Sequence, residues 1–317
     1  GIRGRLRSRG LGDVYKRQMY GSIVLEMVSD SPAGELLGET TREYTFESCG
    51  ETLDMAELQE IWESKLEPVY PYRKAGPTVE KINGKLNAPA APKIGVAKPK
   101  VIIPVFPGTN CEYDTAKAFA RAGADPEILV IRNLTPADVT ASCEALVKAI
   151  DASQIVMLPG GFSGGDEPDG SAKFIASFFR NPAVTEAVRR LLQQRDGLML
   201  GICNGFQALI KLGLVPYGDI RPITAYDPTL TFNTIGRHQS MLVRTRIAST
   251  GSPWLSKCEV GEQFTVAISH GEGRFVAPQE VLDTLMKNGQ IATQYVDIEG
   301  EPTICLLYTS PSPRDRS

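Results

Sequence analysis

From Val101 onward the chain alternates short apolar runs with longer amphipathic stretches, and this alternation predicts an α/β fold with a doubly wound parallel sheet. Residues 101–106 (VIIPVF) form a continuous apolar run that stops at Pro107 and Gly108, the pattern of a strand buried on both faces. A helix is expected over 111–123, a second strand over 127–133 (EILVIRN), and a helix over 135–150 with Thr135 as its N-cap. Residues 154–161 (QIVMLPGG) read as a third strand ending in a glycine turn, and a helical region follows over about 172–194, broken near Pro182. Residues 197–203 (GLMLGIC) are the fourth strand and lead straight into a helix over 204–213 (NGFQALIKLG). Beyond Leu214 the pattern turns to β: 241–248, 264–270 and 290–297 predict strands, with a helix over about 278–288. No internal repeat interrupts this order.

Upstream the pattern is weaker. Residues 21–27 (GSIVLEM) are one short apolar segment, and over 53–70 Leu53, Ala56, Ile61 and Leu66 loosely define an amphipathic helix that Pro68 and Pro71 would end. Residues 19–73 are too short for a domain of their own and are expected to be the tail of one lying upstream. Residues 74–98 are rich in Pro, Ala, Gly and Lys, which is linker composition. The two ends are expected to be foreign. Back-translating Ser8–Gln18 and reading the complementary strand in another frame yields CLLYTSPSPR, which is Cys305–Arg314 residue for residue. Both resemble translated sequencing-library adapters, so 1–18 and 305–317 are set aside and 99–304 remain as the main domain, expected to be cut short at its C-terminal end.

Bulk properties narrow the function classes. A net charge of -3 and a pI near 5.7 give no electrostatic reason for a nucleic-acid or anionic-membrane partner. No apolar run approaches the roughly 20 residues of a membrane span, and the Arg-rich N-terminus lacks the apolar stretch of a secretory signal. Six cysteines with no CxxC spacing and only two histidines argue against zinc and for a reducing, cytoplasmic setting.

The chemistry concentrates at Gly201-Ile202-Cys203-Asn204-Gly205, where a candidate nucleophile sits between a buried strand and a helix, with glycines two positions before and after. Such a turn strains the backbone at the nucleophile and needs small neighbours for close approach. It also sets the thiol at a helix N-terminus, which favours thiolate, and turns the N–H of Asn204 toward a developing oxyanion. A buried structural cysteine is the plainer explanation; the glycines and the position at a strand's carboxyl end favour the nucleophile. The glycine-rich loop 159–166 leaves the neighbouring strand at the same sheet edge, so its glycines, Gly160 and Gly161 among them, are candidates for donating N–H groups to the same oxyanion or to the substrate. No GK[ST] follows, so it is not a phosphate loop. Asn110, in the turn after the first strand, is either a helix cap or an edge of the site.

Together GICNGFQ at 201–207, PGGFSGGDE at 159–167, PGTNCEYDTAKAF at 107–119 and SHGEGRF at 269–275 resemble the class I glutamine amidotransferase domain of phosphoribosylformylglycinamidine synthase. The resemblance implies a flavodoxin-like sheet of that class over 99–304, with residues 19–73 as a remnant of the synthase domain. It implies that Cys203 attacks the side-chain amide of glutamine, with Gly160, Gly161, Phe162, Asn204 and Gln207 around the oxyanion and the substrate. The released ammonia would serve ATP-dependent conversion of formylglycinamide ribonucleotide to formylglycinamidine ribonucleotide in purine synthesis. No cofactor is implied in this domain; ATP and magnesium belong to the synthase part, and the implied partners are glutamine and the synthase domain of the same parent chain.

The general acid is the open question. His270 and Glu272 have a His-x-Glu spacing that would put both on one face of a strand, which by itself suggests a Cys203–His270–Glu272 triad. The family instead carries its catalytic pair in a His-Pro-Glu motif near the end of the domain, and no His-Pro-Glu occurs here. His270 and Glu272 are therefore expected to support the glutamine pocket, and His238 to pack or pair on the surface. The chain as it stands is expected to hydrolyse glutamine very slowly, while Cys203 stays able to react with a glutamine-like alkylating agent. Two other readings compete: a docking module without catalysis, and another elbow-cysteine hydrolase such as a peptidase.

Overall fold

The computed structural model describes residues 5–8, 24–27, 35–40, 42–65, 80–84, 95–163, 172–224, 226–233, 238–297 and 299–302. The chain divides into two compact units, Gly1–Pro71 and Tyr72–Ser317. Of the ends set aside on sequence, 305–317 lies outside the described residues, as does 1–18 apart from one strand.

In the first unit β1 (Arg5–Ser8) pairs antiparallel with β2 (Val24–Met27) and with β3 (Glu35–Glu39). A hairpin of β4 (Thr45–Ser48) and β5 (Glu51–Asp54) turns through Cys49 and Gly50, both at positive φ. Helix α1 (Met55–Ser64) starts where the Asp54 carboxylate accepts the N–H groups of Ala56 and Glu57 at 2.8 and 3.2 Å. This cap corrects the expected helix. Leu53 pairs with Phe46 in the hairpin instead of joining a helical face, Ile61 is exposed, and Leu66 lies outside the described residues.

The second unit follows the predicted alternation: β6 (Lys100–Val105), β7 (Thr109–Asn110), α2 (Glu112–Arg121), β8 (Asp125–Val130), α3 (Pro136–Ala152), β9 (Ile155–Leu158), β10 (Gly160–Gly161), α4 (Lys173–Phe179), α5 (Pro182–Arg189), β11 (Leu198–Gly201) and α6 (Asn204–Leu212). The four long strands form a wholly parallel sheet in the order β11-β9-β6-β8. In chain order this is the fourth, third, first and second strand, the doubly wound arrangement of a flavodoxin-like sheet. Successive residues of β6 serve opposite faces. Ile102 enters a core with Leu146 and Ile150 of α3, Phe179 and Val188, while Val101 and Ile103 pack with Ala116 and Phe119 of α2. Each fully buried aliphatic side chain in these layers contributes about 1.5–3 kcal/mol. The expected cap on α3 is present as a reciprocal box, Thr135 Oγ1 accepting from the N–H of Asp138 and Asp138 Oδ2 from the N–H of Thr135, each at 3.1 Å. Asn181 caps α5 just ahead of Pro182, which is why the helical region breaks there.

After the short helix α7 (Leu214–Tyr217) the chain is mostly β, as the pattern required: β12 (Thr229–Thr231), β13 (Gln239–Ile247), β14 (Gln263–His270), β15 (Arg274–Val276), α8 (Gln279–Lys287) and β16 (Thr293–Val296). β13 lies between β14 and β16 in an antiparallel sheet, and β12 pairs with β15. Leu230, Phe275, Leu282 and Leu285 bury themselves against Ile210, which fastens this layer to α6. One part of the expected linker is not a spacer: residues 80–84 dock on the second unit, with Gly84 bridging to Ser249. Composition registered the small and charged residues here but could not show that buried side chains 160 or more positions away hold them.

Candidate active site

Cys203 sits between β11 and α6 with φ 53° and ψ −113°. The positive φ places it outside the usual regions, and its ψ separates it from Cys111 and Ala172, which occupy the ordinary left-handed helical well. Holding a non-glycine residue there costs about 1–3 kcal/mol. Backbone bonds on both sides over-determine it: Ile202 N–H to Leu158 O, Gly205 N–H to Ile202 O and Gln207 N–H to Cys203 O, all 3.0 Å. The thiol is exposed. Both elbow glycines are there for close approach. A Cβ on Gly201 would lie 2.6 Å from the carbonyl carbon of Gly205, and one on Gly205 would lie 2.6 Å from the carbonyl carbon of Leu158. As the first residue of α6, Asn204 turns its N–H out of the helix's N-terminal end and not up its ladder.

The glycine-rich loop meets the nucleophile from β9. A Cβ on Gly160 would stand 3.3 Å from Cys203 Cβ and 3.9 Å from its Sγ. Gly161, at φ 112°, leaves no room for a side chain because Asn110 N would lie 2.6 Å from a Cβ. β10 and β7 pair Gly160 with Asn110 and Gly161 with Thr109, so the carboxyl ends of β6, β9 and β11 converge. Past these glycines the loop amides are taken by protein oxygens. Phe162 N–H donates to Gly108 O at 2.8 Å and Ser163 N–H to Asn204 Oδ1 at 3.2 Å. Phe162 is left with its 61% exposed ring as its means of touching a ligand. Residues 164–167 of the expected motif lie outside the described residues.

Behind the thiol, Asn204 and Gln207 form a buried relay that the sequence did not show. Asn204 Nδ2 donates to Gln207 Oε1 at 3.0 Å, and Gln207 Nε2 donates to the backbone carbonyl of Glu272 at 2.8 Å. Because Asn204 Oδ1 accepts an N–H, each amide's orientation is fixed by the next. Both side chains thus tie the glycine loop, the nucleophile helix and the 271–273 turn together. Gln207→Leu would leave a buried amide hydrogen and a buried carbonyl without these partners, and we expect a loss of about 2–4 kcal/mol in urea unfolding.

The His270–Glu272 pair is not on one face of a strand. β14 ends at His270, and Gly271 to Gly273 form a turn into β15. Asn233, 2% exposed and not singled out by sequence, organises this turn. Its N–H donates to Gly271 O and its Nδ2 to His270 O, both at 2.8 Å, while its Oδ1 accepts Gly273 N–H at 3.3 Å. An oxygen so placed faces His270 Nδ1 at 3.1 Å, which puts the proton of the neutral ring on Nδ1. The ring lies directly over Gly273. Burial, and secondarily the nearby His238, hold His270 below its ordinary value near 6.5. The unfolded chain therefore takes up a proton near that pH that the folded chain resists, and stability falls as pH drops below it. His270→Gln should flatten the decline of the urea midpoint that sets in as pH falls below about 6.5. His238 pairs with Ser269 Oγ at 2.8 Å, as the surface reading anticipated.

Residues 98–308 match the CobB/CobQ-like glutamine amidotransferase domain. The chain belongs to that family. Its relatives include phosphoribosylformylglycinamidine synthase subunit PurQ of Rubrobacter xylanophilus, 35% identical over 62% of this chain and 76% of that protein. The subunit of the same name from Mycolicibacterium paratuberculosis is 38% identical over 62% of this chain and 74% of its own length. Among solved structures, PurLQS from Thermotoga maritima aligns at 24% identity and a TM-score of 0.45, covering 63% of this chain and 76% of that one.

In this amidotransferase, then, Cys203, Asn204, Gly160, Gly161, Phe162 and Asn110 come together at one edge of the sheet, with Gln207 behind them. Gln207 links Glu272 to this group through the backbone. Among the described residues no hydrogen bond joins the Cys203 thiol to an imidazole or carboxylate. Among the same residues no group of three or more His, Cys, Asp or Glu is placed to hold a metal ion, and no helix is long and apolar enough to cross a membrane.

Proposed function

We propose that this chain is the glutaminase component of a phosphoribosylformylglycinamidine synthase, with Cys203 as its nucleophile. The observation that carries the reading is the exposed thiol held at φ 53° and ψ −113° between β11 and α6, with Gly160 packed at its Cβ. In the proposed reaction the sulfur adds to the side-chain carbonyl of glutamine and the carbonyl electrons move onto oxygen. The N–H of Asn204, the first residue of α6, meets that oxyanion. The proton lost by the thiol passes through water to the departing nitrogen, collapse breaks the C–N bond, ammonia leaves, and a thioester remains on Cys203. Water then hydrolyses it to glutamate. Gly160 and Gly161 keep the approach open, Phe162 and Asn110 edge the pocket, and Asn204 and Gln207 hold the loops in place from behind.

The ammonia would go to a synthase part that uses ATP and magnesium on formylglycinamide ribonucleotide, and that part is the proposed partner. The loop 160–163 is not a phosphate cradle, since Phe162 and Ser163 spend their N–H groups on protein oxygens. Free cysteines, with Cys49 and Cys111 exposed, support a cytoplasmic setting. Among the described residues neither histidine bonds to the thiol, so we expect turnover of glutamine to be slow. The test is glutamate and ammonia release from glutamine, with asparagine as control. Slow release of the two products in equal amounts from glutamine alone supports the reading; equal rates from glutamine and asparagine, with folding verified, contradict it.

A further inference from the structure

Arg246 and Gln294 are 5% and 1% exposed, and they lie on β13 and β16 in the second unit. The side-chain hydrogen bonds of both run to residues 80–83, far away in sequence. Gln294 accepts Ile82 N–H on Oε1 at 2.8 Å and donates Nε2 to Glu80 O at 2.9 Å, so its amide imitates a neighbouring strand's N–H and C=O. Arg246 Nη1 donates to Ile82 O at 2.8 Å, and Nη2 donates to Asn83 Oδ1. Among the described residues no carboxylate pairs with this buried guanidinium, so oxygens of the 80–84 segment answer its charge. Gly84 N–H donates to Ala248 O at 2.7 Å, and a Cβ there would come 2.9 Å from Ser249 Cβ. Lys81 pairs with Glu301 at 2.7 Å.

We propose that Arg246 and Gln294 form a slot that reads extended main chain, and that its occupant, residues 80–84, is a required strap of the amidotransferase domain. The family match begins only at residue 98, so the segment lies outside it. Glu80, Lys81 and Asn83 are exposed, so the strap contributes by covering and satisfying two buried polar groups more than by burying apolar surface of its own. Emptying the slot strands a charge inside the domain, and that loss is the energetic reason for the strap.

The test uses the full chain. In the wild type the amides of Ile82 and Gly84 should resist hydrogen exchange. Gly84→Val should raise their exchange by about 100-fold or more and lower the Tm by roughly 5–10 °C. Should Gly84→Val fail to fold, the double variant Lys81→Ala with Asn83→Ala, which removes the Glu301 ion pair and one oxygen that accepts from Arg246, should produce smaller shifts in both readouts. Unchanged exchange at Ile82 and Gly84 in the folded variant overturns the slot. Faster exchange with an unchanged Tm makes the segment a passenger and overturns the strap.

Discussion

Replacing Cys203 by alanine is expected to remove the slow glutamate release that this chain supports, down to the uncatalysed background. The loss follows from what the residue does in the proposed reaction: without sulfur there is no thioester, and water must attack the amide directly. The rest of the site should survive, because the backbone at 203 is held by bonds from Ile202, Gly205 and Gln207 that do not use the side chain. Alanine also relieves little, since the positive φ strains any residue with a Cβ. The urea midpoint should therefore stay close to wild type while the rate collapses. A variant that keeps more than a tenth of the rate would move the nucleophile elsewhere.

Gly205→Ala should have the largest effect on stability. Its added methyl would run into the carbonyl oxygen of Leu158 and sit 2.6 Å from the carbonyl carbon and 2.7 Å from the Cβ of that residue. Two of the obstacles belong to the backbone of the central sheet, so no rotamer change relieves them, and α6 must lift away from β9. That shift would also pull on the Asn204–Gln207 relay. We expect a loss of about 3–5 kcal/mol in urea unfolding, with poor yield of folded chain. Gly271→Ala is the control, because nothing lies within 4 Å of a Cβ there. It should change stability by less than about 0.5 kcal/mol.

Much of the parallel sheet could be read from the sequence because strands buried on both faces must be apolar at every position, as 101–106 and 155–158 are. The elbow was legible for a related reason: only glycine permits the approach of α6 to β9, so the spacing around Cys203 records a backbone crossing. Thr135 announced its helix because the cap is local. What stayed hidden depends on contacts between distant residues. Asn204 and Gln207 looked like ligands for substrate, and nothing in GICNGFQ shows that their side chains face inward to Ser163 and Glu272. The His-x-Glu spacing suggested a shared strand face, but strand ends are set by partners, and β14 stops at His270 where Asn233 takes over the turn. Asn233 itself carries no local signature. The strap at 80–84 was hidden by composition, since its role resides in Arg246 and Gln294.

The central claim, that Cys203 is the nucleophile of a glutamine-specific site, is tested most directly by covalent capture. A glutamine analogue with a chloromethyl ketone in place of the side-chain amide would lose chloride as the sulfur forms a carbon–sulfur bond, and peptide mass spectrometry would locate the adduct. The chain supplies its own controls, since Cys49 and Cys111 are also exposed and Cys258 is partly so. The expected result is one adduct per chain, on Cys203, slowed by added glutamine and not by asparagine, with iodoacetamide showing no such protection at Cys49 or Cys111. Adducts spread evenly over the exposed cysteines, or labelling of Cys203 that glutamine does not slow, would contradict it.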